Sequence, residues 1–352
     1  MDQPAIETCM PNGRELQSVR AFVQRSLSEA ARGYVPMIDP RRVVGGLLGV
    51  AVGDALGLPV EFESRTIRQQ DPVTGMRGEG VHLQPAGTWS DETSLTFCTV
   101  ETLLLNDYSV DRLGEAFARW VEEGWWSPNG KVFDLPEETA AAIGRIIRGI
   151  PATQSGAAPG ERGSEGNGAL ARSLPIALAF SRWSIPLMIA ALHESSAITH
   201  PNPVCLMASG IYGLVVRNLA FKRSTLSAYR RAAEDAKRIY VREPWKSVRN
   251  PYRRLLRGTV GEVPEGHIVA DSFVAHTLEA ALWAMQSTRS FSDCVLRAVN
   301  LGEDADTVGA VAGGLAGVAY GIESIPEEWI DALARKDELL EVAERFSRVV
   351  SA

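Results

Sequence analysis

The chain has 352 residues, 45% hydrophobic and 22% charged, which is ordinary for a globular protein and enough for one large domain or two average ones. Its net charge of −7 excludes nucleic acid as the main partner, because phosphate backbones need a basic surface, but leaves room for a local site for a small phosphorylated ligand. The cysteines Cys9, Cys98, Cys205 and Cys294 form no CxxC pair, and the N-terminus lacks the basic and apolar regions of a signal peptide, so we expect a cytoplasmic protein with reduced thiols and no membrane association.

Residues 1–40 differ in character from the rest of the chain and read as an N-terminal extension. The first 13 are polar, a flexible lead. Over 15–31, Leu16, Val19, Phe22, Val23 and Leu27 fall on one helical face, before Gly33, Pro36 and Pro40 break the chain. From Arg41 onward helical periodicity dominates. It predicts helices over 41–57, 91–106, 110–123, 136–148, 168–181, 185–197, 202–221, 224–239, 270–287, 290–299, 305–320 and 335–349. Alternating strands are scarce, so the expectation is an all-α domain over 41–352. Residues 71–87, 154–168 and 246–266 read as loops, the second rich in glycine. The apolar run 43–60 carries Asp54 and five glycines, and the run 308–320 is too short to span a bilayer.

Two of these helices carry glycine at every fourth position: Gly45, Gly49, Gly53 and Gly57, then Gly309, Gly313, Gly317 and Gly321. Glycine costs about 1 kcal/mol against alanine inside a helix. Residues four apart form one ridge, and a ridge of glycines permits close backbone approach. Either each helix passes close to some other core helix, or the two pack on each other or around a shared centre, which would bring the start of 305–320 near Asp54 and the Gly57–Glu61 segment.

Two acidic segments each precede an apolar helix. One is Ser90-Asp91-Glu92-Thr93 and the other Glu303-Asp304-Ala305-Asp306-Thr307. Either alone reads as helix capping, since hydroxyls and carboxylates satisfy free N–H groups and suit the positive end of the dipole. Capping needs one oxygen, however, whereas each segment offers carboxylates and hydroxyls together. Hard divalent cations take several oxygen ligands, and cations make a cluster of like charges tolerable. His82, His193, His267 and His276 show no metal-ligand spacing. Trp125 and Trp126, beside Pro128, Asn129 and Gly130, read as a packed loop anchor in preference to the alternative, an adenine stack.

With these motifs in view, the segments GGLLGVAVGDALGLPVEFE, GTWSDETSLTFCTVETL, GNGALARSLPIAL, ITHPNPVCLMAS and GEDADTVGAVAGGLAGVAYG resemble, in order, the motifs of the ADP-ribosylglycohydrolases of the dinitrogenase-reductase-activating type. The match spans about 43–322. The resemblance implies a single compact, orthogonally packed helical domain with a central dinuclear site for two Mg²⁺, or Mn²⁺, held by Ser90, Asp91, Glu92, Asp304, Asp306 and Thr307. Ser90 replaces the usual threonine and Glu92 the usual aspartate; the longer arm of Glu92 would shift one metal. The implied reaction is removal of ADP-ribose from a modified protein side chain, most simply arginine.

The resemblance also implies Glu61 and Asp134 as catalytic acids, with Glu61 a ribose contact as well; which acts as acid or base stays open. Asn167 and Gly168, in the glycine loop ahead of a helix, and His200 are implied contacts to ADP-ribose. The extension 1–40 further resembles the family's branch of bacterial immunity proteins, implying an ADP-ribosyltransferase toxin as an alternative partner that it would occlude.

Overall fold

The computed structural model describes residues 37–105, 108–157 and 160–352, so the helix expected over 15–31 lies outside the described residues. In chain order the α-helices are α1 (Pro40–Gly57), α2 (Arg65–Gln70), α3 (Asp91–Leu104), α4 (Val110–Glu123), α5 (Glu137–Ile147), α6 (Ser173–Ala179), α7 (Ile185–Ala197) and α8 (Pro203–Ala220). They continue with α9 (Thr225–Ile239), α10 (Arg253–Arg257), α11 (Val274–Gln286), α12 (Phe291–Val299), α13 (Ala305–Tyr320), α14 (Glu327–Ala332) and α15 (Lys336–Ser351). Among the described residues there is no strand, only two isolated bridges, so the fold is all-α.

The centre of the fold is the pair α1 and α13. A methyl group added at Gly45 would strike the Gly317 carbonyl and the backbone of Gly321 and Ile322 at 2.6–2.7 Å. Gly49 meets the backbone of Gly313 in the same way, Gly53 that of Gly309, and Gly57 that of Ala305 and Asp306. The contacts are reciprocal and the register descends on one helix as it rises on the other, so the pair is antiparallel. Both glycine ridges face inward, as their spacing predicts. Arg42 Nη1, at the far end of the pair, donates to the Val318 and Ala319 carbonyls at 2.8 and 2.6 Å and caps the C-terminus of α13.

This register sets the C-terminus of α1 against the N-terminus of α13. Asp54, fully buried on α1, reaches across to α3. Its carboxylate accepts from the Ser90 and Thr93 amides at 2.9–3.0 Å and from Thr93 Oγ1 at 2.6 Å. Ser90 makes no side-chain cap of its own. Asp54 therefore supplies in trans the oxygen that caps α3, and the Ser90 hydroxyl is left for other work.

Two predicted helices are shorter than expected, for a shared reason. Phe273 pairs with Gly166 in an isolated bridge, and the Val274 amide donates to the Glu165 carbonyl at 3.1 Å. The Asp271 carboxylate takes the Phe273 amide at 3.1 Å. The glycine loop thus claims residues 271–273, and the helix begins at Val274 instead of 270. The same loop keeps 168–172 in turns until Ser173. The predicted loop 246–266 contains the short α10, stopped by Gly258 in the left-handed region (φ 80°). Trp126 is buried against Phe97 and under the Arg335 guanidinium, the packed anchor its setting suggests. Cys98, Cys205 and Cys294 are buried free thiols.

The α1–α13 contact has a direct test. Gly53→Ala forces Cβ into the Gly309 backbone, and overpacking of this kind costs about 1–3 kcal/mol or more. Gly144→Ala on α5 meets only the far end of the Arg148 side chain and gains helix propensity. Thermal melts should show Gly53→Ala several degrees below wild type and Gly144→Ala at or slightly above it.

Candidate active site

Where α1, α3 and α13 meet, a cleft of about 840 Å³ opens, lined by Glu61, Asp91, Glu92, Asp134, Asp304 and Asp306 among others. The two acidic segments, more than two hundred residues apart in the chain, join inside it. Thr307 Oγ1 donates to Glu92 Oε1 at 2.8 Å, and Ser90 Oγ lies 3.5 Å from Asp306 Oδ2. Oxygens of Glu61, Asp304 and Asp306 lie within 4.8 Å of one another, as do ligand atoms of Glu61, His82 and Asp134. Glu61 belongs to both groups. It stands there because a short 3-10 turn (Leu58–Val60) continues α1 directly into it.

Asn167 anchors the glycine loop to this centre, donating to Asp304 Oδ2 at 2.9 Å and to Thr277 Oγ1 at 2.8 Å. Gly168 and His200 do not reach the cleft wall. His200 is wholly buried one layer beneath, packed against Gly166 and Gly168. Its Nδ1 lies 2.7 Å from Thr199 Oγ1, and its Nε2 is 3.7 Å from Glu138, which does line the cleft. Arg172 Nη2 donates to the same Thr199 hydroxyl at 2.7 Å, which ties His200 to the fully buried Arg172.

His82, which shows no metal-ligand spacing in the sequence, lies beside the acids. Its Nε2 lies 2.5 Å from Glu61 Oε2, and its loop is closed by the Glu79–Gln84 bridge. Nothing in its local sequence spacing could have revealed this. Asp54 was visible only as a charge within an apolar helix, and Glu138 and Phe62 carried no signal.

The electrostatics are severe. Burial, joined by the charges of their neighbours, pushes Asp91 and Asp306 well above the usual carboxylate range. Burial raises Glu92 too, against the opposing bond from Thr307. Asp304 and Asp134 are raised, again chiefly by burial. Glu61 is pushed up to about 7 by burial, partly offset by its bond to His82. That bond in turn raises His82. Asp91 Oδ2 is buried without a hydrogen-bond partner. Among the described residues no lysine or arginine forms an ion pair with these carboxylates; compensation comes from His82 at Glu61 and, through space, from Arg172, fully buried and pushed down to about 10. Acids so placed must hold protons or take up cations.

The backbone is strained at the same place. Phe62, Asp134 and Glu303 all adopt the left-handed region, with φ of 64°, 47° and 57°. For a bulky residue such as phenylalanine this is a genuine outlier, and such strain persists where surrounding structure enforces it, often at functional sites. Here the Phe62 amide donates to the Glu303 carbonyl, and the Glu303 amide to the Glu63 carbonyl, both at 2.7 Å.

An all-helical domain built around a buried cluster of carboxylates and hydroxyls defines the class, and comparison with known proteins supplies the family. The ADP-ribosylglycohydrolase family model matches residues 37–352. The chain is 30% identical over 305 residues, 86% of its length and 78% of the relative's, to ADP-ribosylarginine hydrolase Tri1 of Serratia proteamaculans. It is 32% identical over 301 residues, 84% of its length and 92% of the relative's, to ADP-ribosyl-[dinitrogen reductase] glycohydrolase of Rhodospirillum rubrum. A solved structure described as an ADP-ribosylglycohydrolase-related protein complex superimposes with a TM-score of 0.72 and 30% identity, covering 88% of this chain and 98% of that one. This chain belongs to the ADP-ribosylglycohydrolase family and is a hydrolase.

Asp54 gives the site a measurable pH signature. Burial pushes it up to about 7, against bonds from Thr93 and Ser90 that lower it. The folded state then holds a proton that the unfolded chain releases near the ordinary value of 3.8. Between these values the folded state binds more protons, so stability falls as pH rises. In denaturant melts of metal-free protein, wild type should lose stability relative to Asp54→Asn from about pH 4 to about pH 7, and the difference should then level off.

Proposed function

We propose that this protein hydrolyses the N-glycosidic bond between ADP-ribose and a modified arginine side chain, reversing ADP-ribosylation in a metal-dependent reaction. The observation that carries the metal dependence is the donor set itself: buried carboxylates with no cationic partner, an orphaned Asp91 oxygen, and hydroxyls of Ser90 and Thr307 in the same cluster. Oxygen-only sites of this kind suit Mg²⁺ or Mn²⁺. Ser90, Asp91, Glu92, Asp304, Asp306 and Thr307 would hold two such ions. When bound, they would supply Lewis acidity toward ribose hydroxyls and water.

The protein's own groups have separate tasks. The oxygen of water bonds to the anomeric carbon as the carbon–nitrogen bond breaks, and the departing guanidine nitrogen takes the bonding pair and a proton. The transition state is oxocarbenium-like, so nearby carboxylates favour it. Glu61, pushed up to about 7 and bonded to His82, is poised to give or take a proton at neutral pH. Asp134 faces the same space from the opposite loop. Asn167 fixes Asp304, and the 163–167 turn offers backbone N–H groups to the diphosphate. His200 and Gly168 support that loop from beneath, through Glu138.

The arginine assignment is supported by the relatives named ADP-ribosylarginine hydrolase Tri1, from Serratia proteamaculans and Pseudomonas putida. A second reading concerns the extension. The family match begins at residue 37, and 15–31 carries an apolar helical face with no place in that match. We propose that 1–40 binds a partner, of which an ADP-ribosylating toxin is the simplest, in the cytoplasm. Deleting 1–38 should weaken partner binding while hydrolysis persists; unchanged binding would reject this second reading.

The hydrolase reading is tested by following release of ADP-ribose from ADP-ribosylarginine, ADP-ribosylserine and O-acetyl-ADP-ribose, with and without Mg²⁺. Arginine should be the preferred acceptor and chelation should abolish turnover. Asp304→Ala with Asp306→Ala should lose more than about 100-fold, the scale on which one electrostatic stabiliser is lost. Unchanged turnover in the double variant would refute the proposed centre.

A further inference from the structure

The strained, exposed ring of Phe62 has no role in the chemistry above. It is 67% exposed, lines the cleft, and sits directly after Glu61. A phenylalanine held in the left-handed region and turned outward serves neither the core nor the backbone. Glycine would suit the backbone and lysine the exposure better, so the ring itself is the feature to be explained.

Phe62 has one aromatic neighbour, His82, which in turn neighbours Phe133. The His82 ring lies 6.4 Å from it, centroid to centroid, and the Phe133 ring lies 5.7 Å from His82. Phe133 immediately precedes Asp134, and His82 is bonded to Glu61. Three rings are therefore interleaved with two carboxylates. Aromatic faces with flanking acids bind cations, and a flat guanidinium stacks on such a face while its N–H groups point to carboxylates. A diphosphate would be repelled by Glu61 and Asp134. Adenine, neutral, would gain nothing from them. Val81 and Leu83, on either side of His82, are also exposed, at 58% and 75%.

We propose that Phe62 and Phe133, each beside His82, form with Glu61 and Asp134 the leaving-group subsite, an aromatic half-cage that takes the guanidinium of the modified arginine, while His82 holds Glu61 in place. This rests on the arginine reading and extends it. Glu61 and Asp134 sit at the junction between this half-cage and the cleft, where the bond to be broken would lie. The cage makes the enzyme selective for a flat cationic leaving group over a neutral hydroxyl such as that of serine.

The test compares wild type with Phe62→Leu, Phe62→Tyr and Phe62→Gly. Initial rates on ADP-ribosylarginine are paired with calorimetric binding of free ADP-ribose and with thermal melts. Phe62→Leu should lower kcat/KM on ADP-ribosylarginine about tenfold, the scale of a partly desolvated cation–π contact, mainly through KM. Its affinity for free ADP-ribose should stay within about twofold of wild type on the same argument. Phe62→Tyr should retain turnover. Phe62→Gly relieves the backbone strain, so it should melt no lower than wild type yet show the same kinetic loss, which separates the ring from the fold. An equal loss of ADP-ribose affinity in Phe62→Leu would make the ring an adenine platform and overturn the proposal. So would unchanged kcat/KM in the leucine or glycine variant. A wild type inactive on ADP-ribosylarginine overturns the functional reading and this proposal together; an active wild type with an equally active Phe62→Leu overturns this proposal alone.

Discussion

Backbone-to-backbone contact between α1 and α13 is the constraint on which the site depends. Glycine at every fourth position on both helices removes the side chains that would hold them apart, and each ridge rests on the carbonyls of the other. The cost in helix propensity is about 1 kcal/mol per glycine. What the fold gains is position. The antiparallel register sets the last turn of α1 against the first turn of α13, so Asp54, Glu61, Asp304 and Asp306 converge although the helices are far apart in sequence. Shifting the pair by one turn would move this convergence by about 5.4 Å and dissolve it.

Once those helix ends meet, electrostatics dictates the rest. Asp54 commits its carboxylate to the Ser90 and Thr93 amides, fixing the start of α3. That frees Ser90 and presents Asp91 and Glu92 to the same space. The result is more buried negative charge than hydrogen bonds alone can satisfy, shown most plainly by the unpartnered Asp91 oxygen. A family of hydrolases acting on ADP-ribose fits this arrangement, because ribose hydroxyls and hard cations complement carboxylate and hydroxyl oxygens. The strained Phe62 and Asp134 both line that cleft, and Glu303 is tied to Phe62 through the backbone.

Much of this was legible in the sequence, and the reasons are physical. A four-residue glycine period marks a close-packed helix face, and the periods on 45–57 and 309–321 matched. Hydroxyls and carboxylates clustered at two helix starts exceeded the needs of capping, and the structure joins them through Thr307 and Glu92. Other features depended on partners distant in the chain. Asp54 caps a helix 36 to 39 residues away. His82 gains its place only because its loop folds onto Glu61. The first turn expected at 270 was lost to pairing with the glycine loop, a tertiary contact that periodicity does not encode. His200 lies in the expected neighbourhood but one layer too deep, since Gly166 and Gly168 sit between it and the cleft.

The central claim is that the converged carboxylates are a divalent-cation site. Titrating Mn²⁺ into metal-stripped full-length protein, with the heat measured in two buffers of different ionisation enthalpy, tests it most directly. The account predicts two bound ions and release of protons on binding, because the raised acids must give theirs up, with affinity weakening as pH falls. Absence of saturable Mn²⁺ binding, or binding without proton release, would contradict it.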